Sequence, residues 1–286
     1  MMAGPPRSAA DGARPWTFYA LATLFTLFIL FLYGPMLVIY VLSFQGPDGG
    51  VTFPMVGTST VWFENIVKPG QMANIPVSFE RSISLAALVS VLTVVFSVSA
   101  GLGFRRNFPG SGVLFYLAVA SLVMPSLLVG FGIALGFRFL GWDTSLFTSA
   151  LGAQLTWTLP FGLFAMFAVV NRFNRSWEEA ATDLGASAWQ RLRLVTLPIL
   201  LPGILGLAMG AFTLSYDEYA RTTLAIGPKN TLPLEIYALI SSATSPVLFA
   251  IGTVTTASSF LLISITLFVI FRLQRRRALL VPKRVE

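Results

Sequence analysis

The chain of 286 residues has no cysteine and no histidine. Their absence excludes disulfides, thiolate nucleophiles and iron–sulfur clusters, and removes the usual zinc and haem ligand sets together with the commonest general base. Charge is scarce too. Only 11% of the residues are Asp, Glu, Lys or Arg, where a soluble domain carries about a quarter. With 55% hydrophobic residues, most of the surface cannot face water. The chain also lacks a G-x-x-x-x-G-K-[ST] phosphate loop, so it does not bind ATP in the Walker manner. It shows no internal repeat and, outside a cationic C-terminal tail, no low-complexity block.

The few charges leave long charge-free intervals between Arg14 and Asp48, Arg81 and Arg105, Arg106 and Arg138, Asp143 and Arg172, Arg193 and Asp217, and Glu235 and Arg272. Each exceeds the roughly 20 residues that cross about 30 Å of hydrocarbon. Isolated helices satisfy their own backbone hydrogen bonds in lipid, and the alternation of barrel strands is absent. The expectation is an all-α membrane protein with six transmembrane helices at about 16–43, 82–104, 112–136, 147–171, 198–216 and 246–271.

If these spans thread in order, one side receives Arg7, Arg14, Arg105, Arg106, Arg172, Arg175, Arg191, Arg193 and the cluster from Arg272 to Arg284. The other side is net acidic. By the positive-inside rule the cationic side is cytoplasmic and holds both termini. The net charge of +7 is thus a topology signal, and nucleic acid is not an expected partner. Residues 1–15 read as a cytoplasmic tail. The apolar run from Trp16 is too long for the core of a cleaved signal peptide. Residues 273–286 read as a basic tail that anchors the last span against anionic lipid. Pro35, Pro125 and Pro160 lie inside spans and favour kinks, while Gly132 with Gly136 and Gly206 with Gly210 form GxxxG pairs that suit close helix approach.

Between spans 4 and 5 lies Ser176–Pro198. Ser176 with Glu179, and Ser187 with Gln190, fit capping boxes, and Gly185 between them suits a left-handed helix stop. The expectation is two short helices joined at Gly185, the second ending before Pro198. Trp177, Ala181 and Leu184 share one face of the first, with Trp189, Leu192 and Thr196 similarly spaced on the second. Such a pair suits either a groove on another protein or the membrane surface.

Within it, Glu179-Ala180-Ala181, Gly185 and Val195-Thr196-Leu197-Pro198 closely resemble the EAA loop of bacterial ATP-binding-cassette (ABC) importer membrane subunits. That pattern is E-A-A, three residues, G, nine residues, I-x-L-P, and Val195 replaces the Ile. The resemblance implies a type I ABC importer permease fold in a bacterial inner membrane, with residues 16–272 as the permease domain. The loop would form coupling helices seated in a cleft of a separate ATPase subunit, with Glu178, Glu179, Ala180, Ala181, Asp183, Gly185, Ala186, Arg191, Leu197 and Pro198 as the coupling residues. It further implies an ATPase dimer that carries ATP and magnesium, a second permease completing a heterodimer, and an extracytoplasmic solute-binding protein. The chain itself would be no enzyme and would bind no cofactor or metal.

A second likeness follows span 5. Ser215-Tyr216-Asp217-Glu218-Tyr219 and Thr231-Leu232-Pro233-Leu234-Glu235-Ile236-Tyr237 are similar to the S-F-D-[DE]-F and T-L-P-L-x-I-Y signatures of the second permease of spermidine/putrescine importers, with Tyr for Phe at 216 and 219. A polyamine asks for carboxylates and aromatic faces along its route. Asp217 and Glu218 are an acidic pair at a span's outer end, flanked by Tyr216 and Tyr219; the alternative is a solvated cap paired with Arg221. Trp157, Trp142 and Asp143 are further candidates, although interfacial belts also explain Trp. Importers of opines, amino-acid derivatives, thiamine or iron, and a secondary transporter working without ATP, are the competing readings.

Overall fold

The computed structural model describes residues 15–68, 75–106, 108–242 and 245–280. Helices dominate: α1 (Trp16–Leu42), α2 (Val61–Val67), α3 (Ile75–Gly103), α4 (Ser111–Val123), α5 (Ser126–Phe139), α6 (Leu151–Val170), α7 (Ser176–Asp183), α8 (Ala188–Arg191), α9 (Leu197–Tyr216), α10 (Leu232–Ser242) and α11 (Val247–Leu280). Among the described residues five helical stretches are long and apolar enough to cross a membrane: Trp16–Leu42, Ile75–Gly103, Leu146–Val170, Ala188–Tyr216 and Val247–Val269. The pair α4 and α5 is long and apolar enough only when taken together, as a broken span or a re-entrant loop, and bends by 108° at its junction.

That bend is far sharper than the kink expected at Pro125 within a single span over 112–136. Pro125 has no N–H to donate, and its ring pushes Met124 into an extended conformation with ψ 134°. The helix therefore stops at Val123 and restarts after Pro125. Other boundaries move as well. The second span, α3, starts at Ile75, so it carries Glu80 and Arg81 in its first turns, and α11 continues to Leu280, beyond the span end expected at 271 and into the segment expected as a tail from 273. The helix opening at Ala188 does not end before Pro198 but runs through a wide π-type turn, Leu192–Thr196, into α9. Pro198 sits in the first turn of α9, where a missing N–H costs little. The tail segments 1–14 and 281–286 lie outside the described residues.

The chain divides into two compact units. One comprises residues 15–63 and 245–253. Its loop after α1 is organised by Gln45, whose side chain donates to Gly50 O at 2.8 Å and accepts from Val56 N at 2.8 Å. The Gln45 carbonyl accepts from Trp62 Nε1 at 2.8 Å.

The other unit, 64–242 with 254–280, holds the bundle that positions the candidate sites. Here α3 packs on α6 and α9, and α6 on α9. The buried stripe of α3 runs Ile75, Ser78, Ser82, Leu85, Val89, Thr93, Ser97 and Gly101, a near-heptad spacing built largely of small residues. Between helices in lipid, small side chains allow backbones to approach and hydroxyls to bond across. Ser90 donates to Ala208 O at 2.7 Å and Thr93 to Thr158 Oγ1 at 2.9 Å. Bonds of this kind average about 0.6 kcal/mol, so dense packing contributes the larger share. Met166, Val170, Leu200 and Leu207 form one apolar cluster, and Leu85, Val89, Leu146, Ala150, Ile226 and Leu234 another.

Of the glycines in the expected pairs only Gly210 meets a neighbour closely, since a methyl there would come within 3.0 Å of the Phe161 ring. A methyl added at Gly132, Gly136 or Gly206 meets nothing within 4 Å. At Gly162 it would run into Ser97 and Thr93, and at Gly203 into Val169. Gly162→Val is therefore expected to lower the melting temperature of the detergent-solubilised chain, equivalent to about 1–3 kcal/mol of overpacking. Gly206→Ala should leave it unchanged or raise it. Equal effects at both positions would remove Gly162 from the α3–α6 contact.

Candidate functional site

Two regions of the larger unit gather the polar side chains singled out by the sequence. The first is the loop between α6 and α9. Asn174 Oδ1 accepts the Ser176 N–H at 3.0 Å and so opens α7. The box expected between Ser176 and Glu179 does not form, because Asn174 already satisfies the Ser176 N–H and Arg175 stands at the N-cap without a side-chain bond. At the other end Gly185 takes φ 80°. Its N–H bonds Thr182 O at 2.8 Å, and Ala186 N–H bonds Ala181 O at 3.0 Å, the paired closure of a Schellman stop. Only glycine adopts that conformation without strain. Ser187 and Gln190 then form the second capping box as expected, with bonds of 3.3 and 2.8 Å. A stop and a start are thus fused across Gly185–Ser187.

Glu178 ties this loop to the bundle. Its two oxygens accept from Nη1 and Nη2 of Arg105, both at 2.9 Å, and Oε1 also accepts from Thr196 Oγ1 at 2.7 Å. The Arg105 guanidinium lies 5.1 Å from the Phe173 ring centre, and Arg175 Nη2 donates to Arg105 O at 3.2 Å. The Arg105 fork holds the Glu178 carboxyl below its ordinary pKa of 4.5, against the opposing effect of partial burial; Thr196 and Arg191 act with Arg105. Arg191 donates to Thr182 Oγ1. Arg105, Arg106, Arg175, Arg191, Glu178 and Thr196 line a cavity of about 590 Å³. Glu179, Ala180, Asp183 and Gly185 are exposed, while Leu197 and Pro198 lie in the first turn of α9. Trp177, Leu184, Trp189 and Leu194 are exposed by 61 to 89%, a large apolar surface for so short a polar loop.

The second region follows α9, which Asp217 closes with its N–H on Thr213 O at 3.1 Å. Asp217, Tyr216, Tyr219, Pro233 and Tyr237 line a cavity of about 320 Å³. The Tyr219 and Tyr237 rings are 4.9 Å apart and tilted by 43°. Tyr216 is stacked on Phe212 and meets Phe79 edge-on. Glu218 and Trp157 are not brought into this cavity. Glu218 Oε1 accepts the Arg221 N–H at 2.8 Å. Trp157 offers its ring to the Arg221 guanidinium at 5.5 Å. Arg221, 1% exposed, also donates to Thr156 Oγ1 at 2.7 Å and Ser126 Oγ at 3.3 Å. The guanidinium therefore pins the segment after α9 to α5 and α6 and does not pair with Asp217. Gly130 permits the approach, since a methyl there would strike Arg221 O. Beneath it Gln154 donates to Thr222 Oγ1 at 2.9 Å and accepts from Ser215.

Sequence reasoning did not single out Arg105, Thr196 or Tyr237 as site residues. Tyr237 stood inside a quoted signature, so its aromatic ring was a usable signal. Nothing local linked Arg105 to Glu178. Among the described residues no group of three or more His, Cys, Asp or Glu gathers that could hold a metal.

Comparison with known proteins places these features in context. Residues 93–279 match the family described as binding-protein-dependent transport system inner membrane component. The chain is 28% identical over 248 residues to the putrescine transport system permease protein PotI of Escherichia coli K12, covering 84% of this chain and 85% of that one. It is 30% identical over 258 residues to the spermidine/putrescine transport system permease protein PotC of Haemophilus influenzae, covering 86% and 93%. Among solved structures, the fold is similar to a chain of a bacterial ABC transporter that imports the acidic polysaccharide alginate, with TM-score 0.65, 16% identity, and coverage of 91% and 96%. It is also similar to a chain of the MetNI methionine ABC transporter, with TM-score 0.52, 15% identity, and coverage of 68% and 95%. The fold is thus the all-helical type I importer permease fold.

A carboxylate with a lowered pKa stabilises the fold above its unfolded pKa and loses that contribution as pH falls through the lowered value. Amide protection over Ser176–Thr196, corrected for intrinsic exchange, should hold from neutral pH downward and collapse only below pH 4.5, the ordinary Glu178 value. Glu178→Gln should show weaker protection without that step. An identical pH profile in both proteins would contradict the assignment.

Proposed function

The chain belongs to the family of binding-protein-dependent transport system inner membrane components, and we propose that the importer it serves carries a polyamine. As a permease it is a multi-pass inner-membrane transport subunit and not an enzyme. The observation that carries the polyamine reading is the cavity where Asp217 meets Tyr216, Tyr219 and Tyr237, in a chain whose relatives include putrescine and spermidine/putrescine permeases. An alkylammonium gains about 0.5–2 kcal/mol over an aromatic face and is attracted further by an adjacent carboxylate. A neutral or anionic solute gains neither.

In the complex we envisage, this chain forms half of the pathway and a different permease the other half. A dimeric ATPase binds ATP and magnesium below, and a solute-binding protein delivers the polyamine above. The loop Ser176–Pro198 seats its exposed Trp177, Leu184 and Trp189 in the ATPase. Glu179, Ala180, Ala181, Asp183, Gly185, Ala186, Arg191, Leu197 and Pro198 then shape and hold the coupling helices. ATPase closure, passed through them, alternates access to the cavity beside Asp217.

Uptake of labelled putrescine into proteoliposomes holding the whole complex tests both halves of the proposal. Asp217→Asn should raise KM roughly tenfold, the effect of ~1.4 kcal/mol. Tyr237→Leu should raise it less, and Tyr237→Phe hardly at all. A KM for Asp217→Asn equal to that of the unaltered protein would remove Asp217 from the route. Glu179→Lys and Gly185→Leu should each abolish uptake while the protein remains in the membrane at normal levels. Normal uptake in either would sink the coupling role.

A further inference from the structure

The helix α7 is joined to the rest of the chain in an unusually economical way. Among the described residues, the elements it packs against are α8 and the turn Leu192–Thr196, which flank it in sequence. Its outward side chains Trp177 and Leu184 are bare. The two-pronged bond from Arg105, in the turn that ends α3, to Glu178 on α7 reaches beyond the loop itself, and Thr196, at the head of α9, closes on the same carboxylate. The side chains of Arg105 and Glu178 are only 16% and 27% exposed. A paired fork of this kind fixes orientation as well as distance.

Resting on the reading that Ser176–Pro198 meets an ATPase, we propose that Arg105, Glu178 and Thr196 form a clamp that carries displacement of α7 into α3 and α9. Arg105 and Thr196 are positioning residues: they act through Glu178 and make the loop and two bundle helices move as one body. The surroundings fit this assignment. Phe173 supports the guanidinium from below and Arg175 holds the Arg105 carbonyl, so the arginine is fixed at both its backbone and its side chain. Beyond the clamp, α3 packs along α6 and α9, the contact through which a shift of α3 reaches the bundle interior. Without the clamp, α7 keeps its backbone connections through Asn174 and Gly185 but loses its direct hold on α3. The expected consequence is an importer that assembles and hydrolyses ATP but moves little solute for each ATP.

The decisive experiment measures three quantities on the complete complex: co-purification of the ATPase, ATP hydrolysis in proteoliposomes, and putrescine transported per ATP. For Arg105→Gln, co-purification and hydrolysis should stay near those of the unaltered complex while putrescine per ATP falls roughly five- to tenfold. Arg105→Lys, which keeps the charge but loses the fork, should fall in between. Thr196→Val should lower the ratio about twofold. The charge exchange of Arg105→Glu with Glu178→Arg should recover part of the loss. An unchanged ratio in Arg105→Gln overturns the clamp. If that variant does not assemble, unchanged ratios in both Arg105→Lys and Thr196→Val overturn it instead. Failure of the ATPase to co-purify with the unaltered chain would overturn the docking reading, an outcome separate from failure of the clamp.

Discussion

The bond between Arg105 and Glu178 is the point at which two otherwise separate physical regimes meet. Above it is a bundle held by close packing of small residues, where Ser, Thr and Gly let α3, α6 and α9 approach. Below it is a short polar loop that buries little of its own surface. An exposed ion pair such as Lys68 with Glu64, at 3.4 Å and more than half exposed on both sides, contributes about 0–1 kcal/mol and fixes little. The Arg105–Glu178 pair differs in kind. It is forked, largely shielded, shared with Thr196 and backed by an aromatic ring. Removing one partner would strand a partly buried charge, which is costly, so the loop's position and the ends of two helices are set together.

At the opposite end of α9, two charged residues four positions apart meet different fates. Arg221 is buried and satisfied by hydroxyls and the Trp157 ring. Asp217 is left facing a cavity walled by tyrosines. Because the buried guanidinium finds its side-chain partners in hydroxyls and an indole ring, it does not neutralise Asp217. The rigid seat of Arg221 against α5 and α6 in turn fixes where α9 ends. The cavity is thus held in place by the bundle, not by the loop that closes it.

Much of this was legible in the sequence because charges are so few. Charge-free stretches mark spans when almost every exposed position in lipid must be apolar, and Gly185 and Ser187 carry their conformations in their own chemistry. The features that escaped depend on partners distant along the chain. Pro125 announces a kink, but the size of the break depends on what α4 and α5 pack against. Gly206 and Gly210 form a motif, yet only Gly210 meets a neighbour, the Phe161 ring, and other close approaches fall at Gly162 and Gly203, because the facing side chains on α3 and α6 decide which glycine is needed. Asn174 displaced the expected Ser176 cap because it lies two residues ahead with a competing acceptor. Arg105 looked like one more cation on the positive side until its partner, 73 positions away, was brought beside it.

Docking of the exposed loop into a partner is directly measurable because this chain has no cysteine. In Leu184→Cys, at a position 89% exposed in the isolated chain, the only thiol of this chain can be labelled with a membrane-impermeant maleimide from the cytoplasmic side and read on this chain's own band. With the ATPase subunit assembled, labelling should slow by at least an order of magnitude relative to membranes holding the permeases alone, and the rate should change between nucleotide-free and ATP-bound states. Equal labelling rates with and without the ATPase would contradict it.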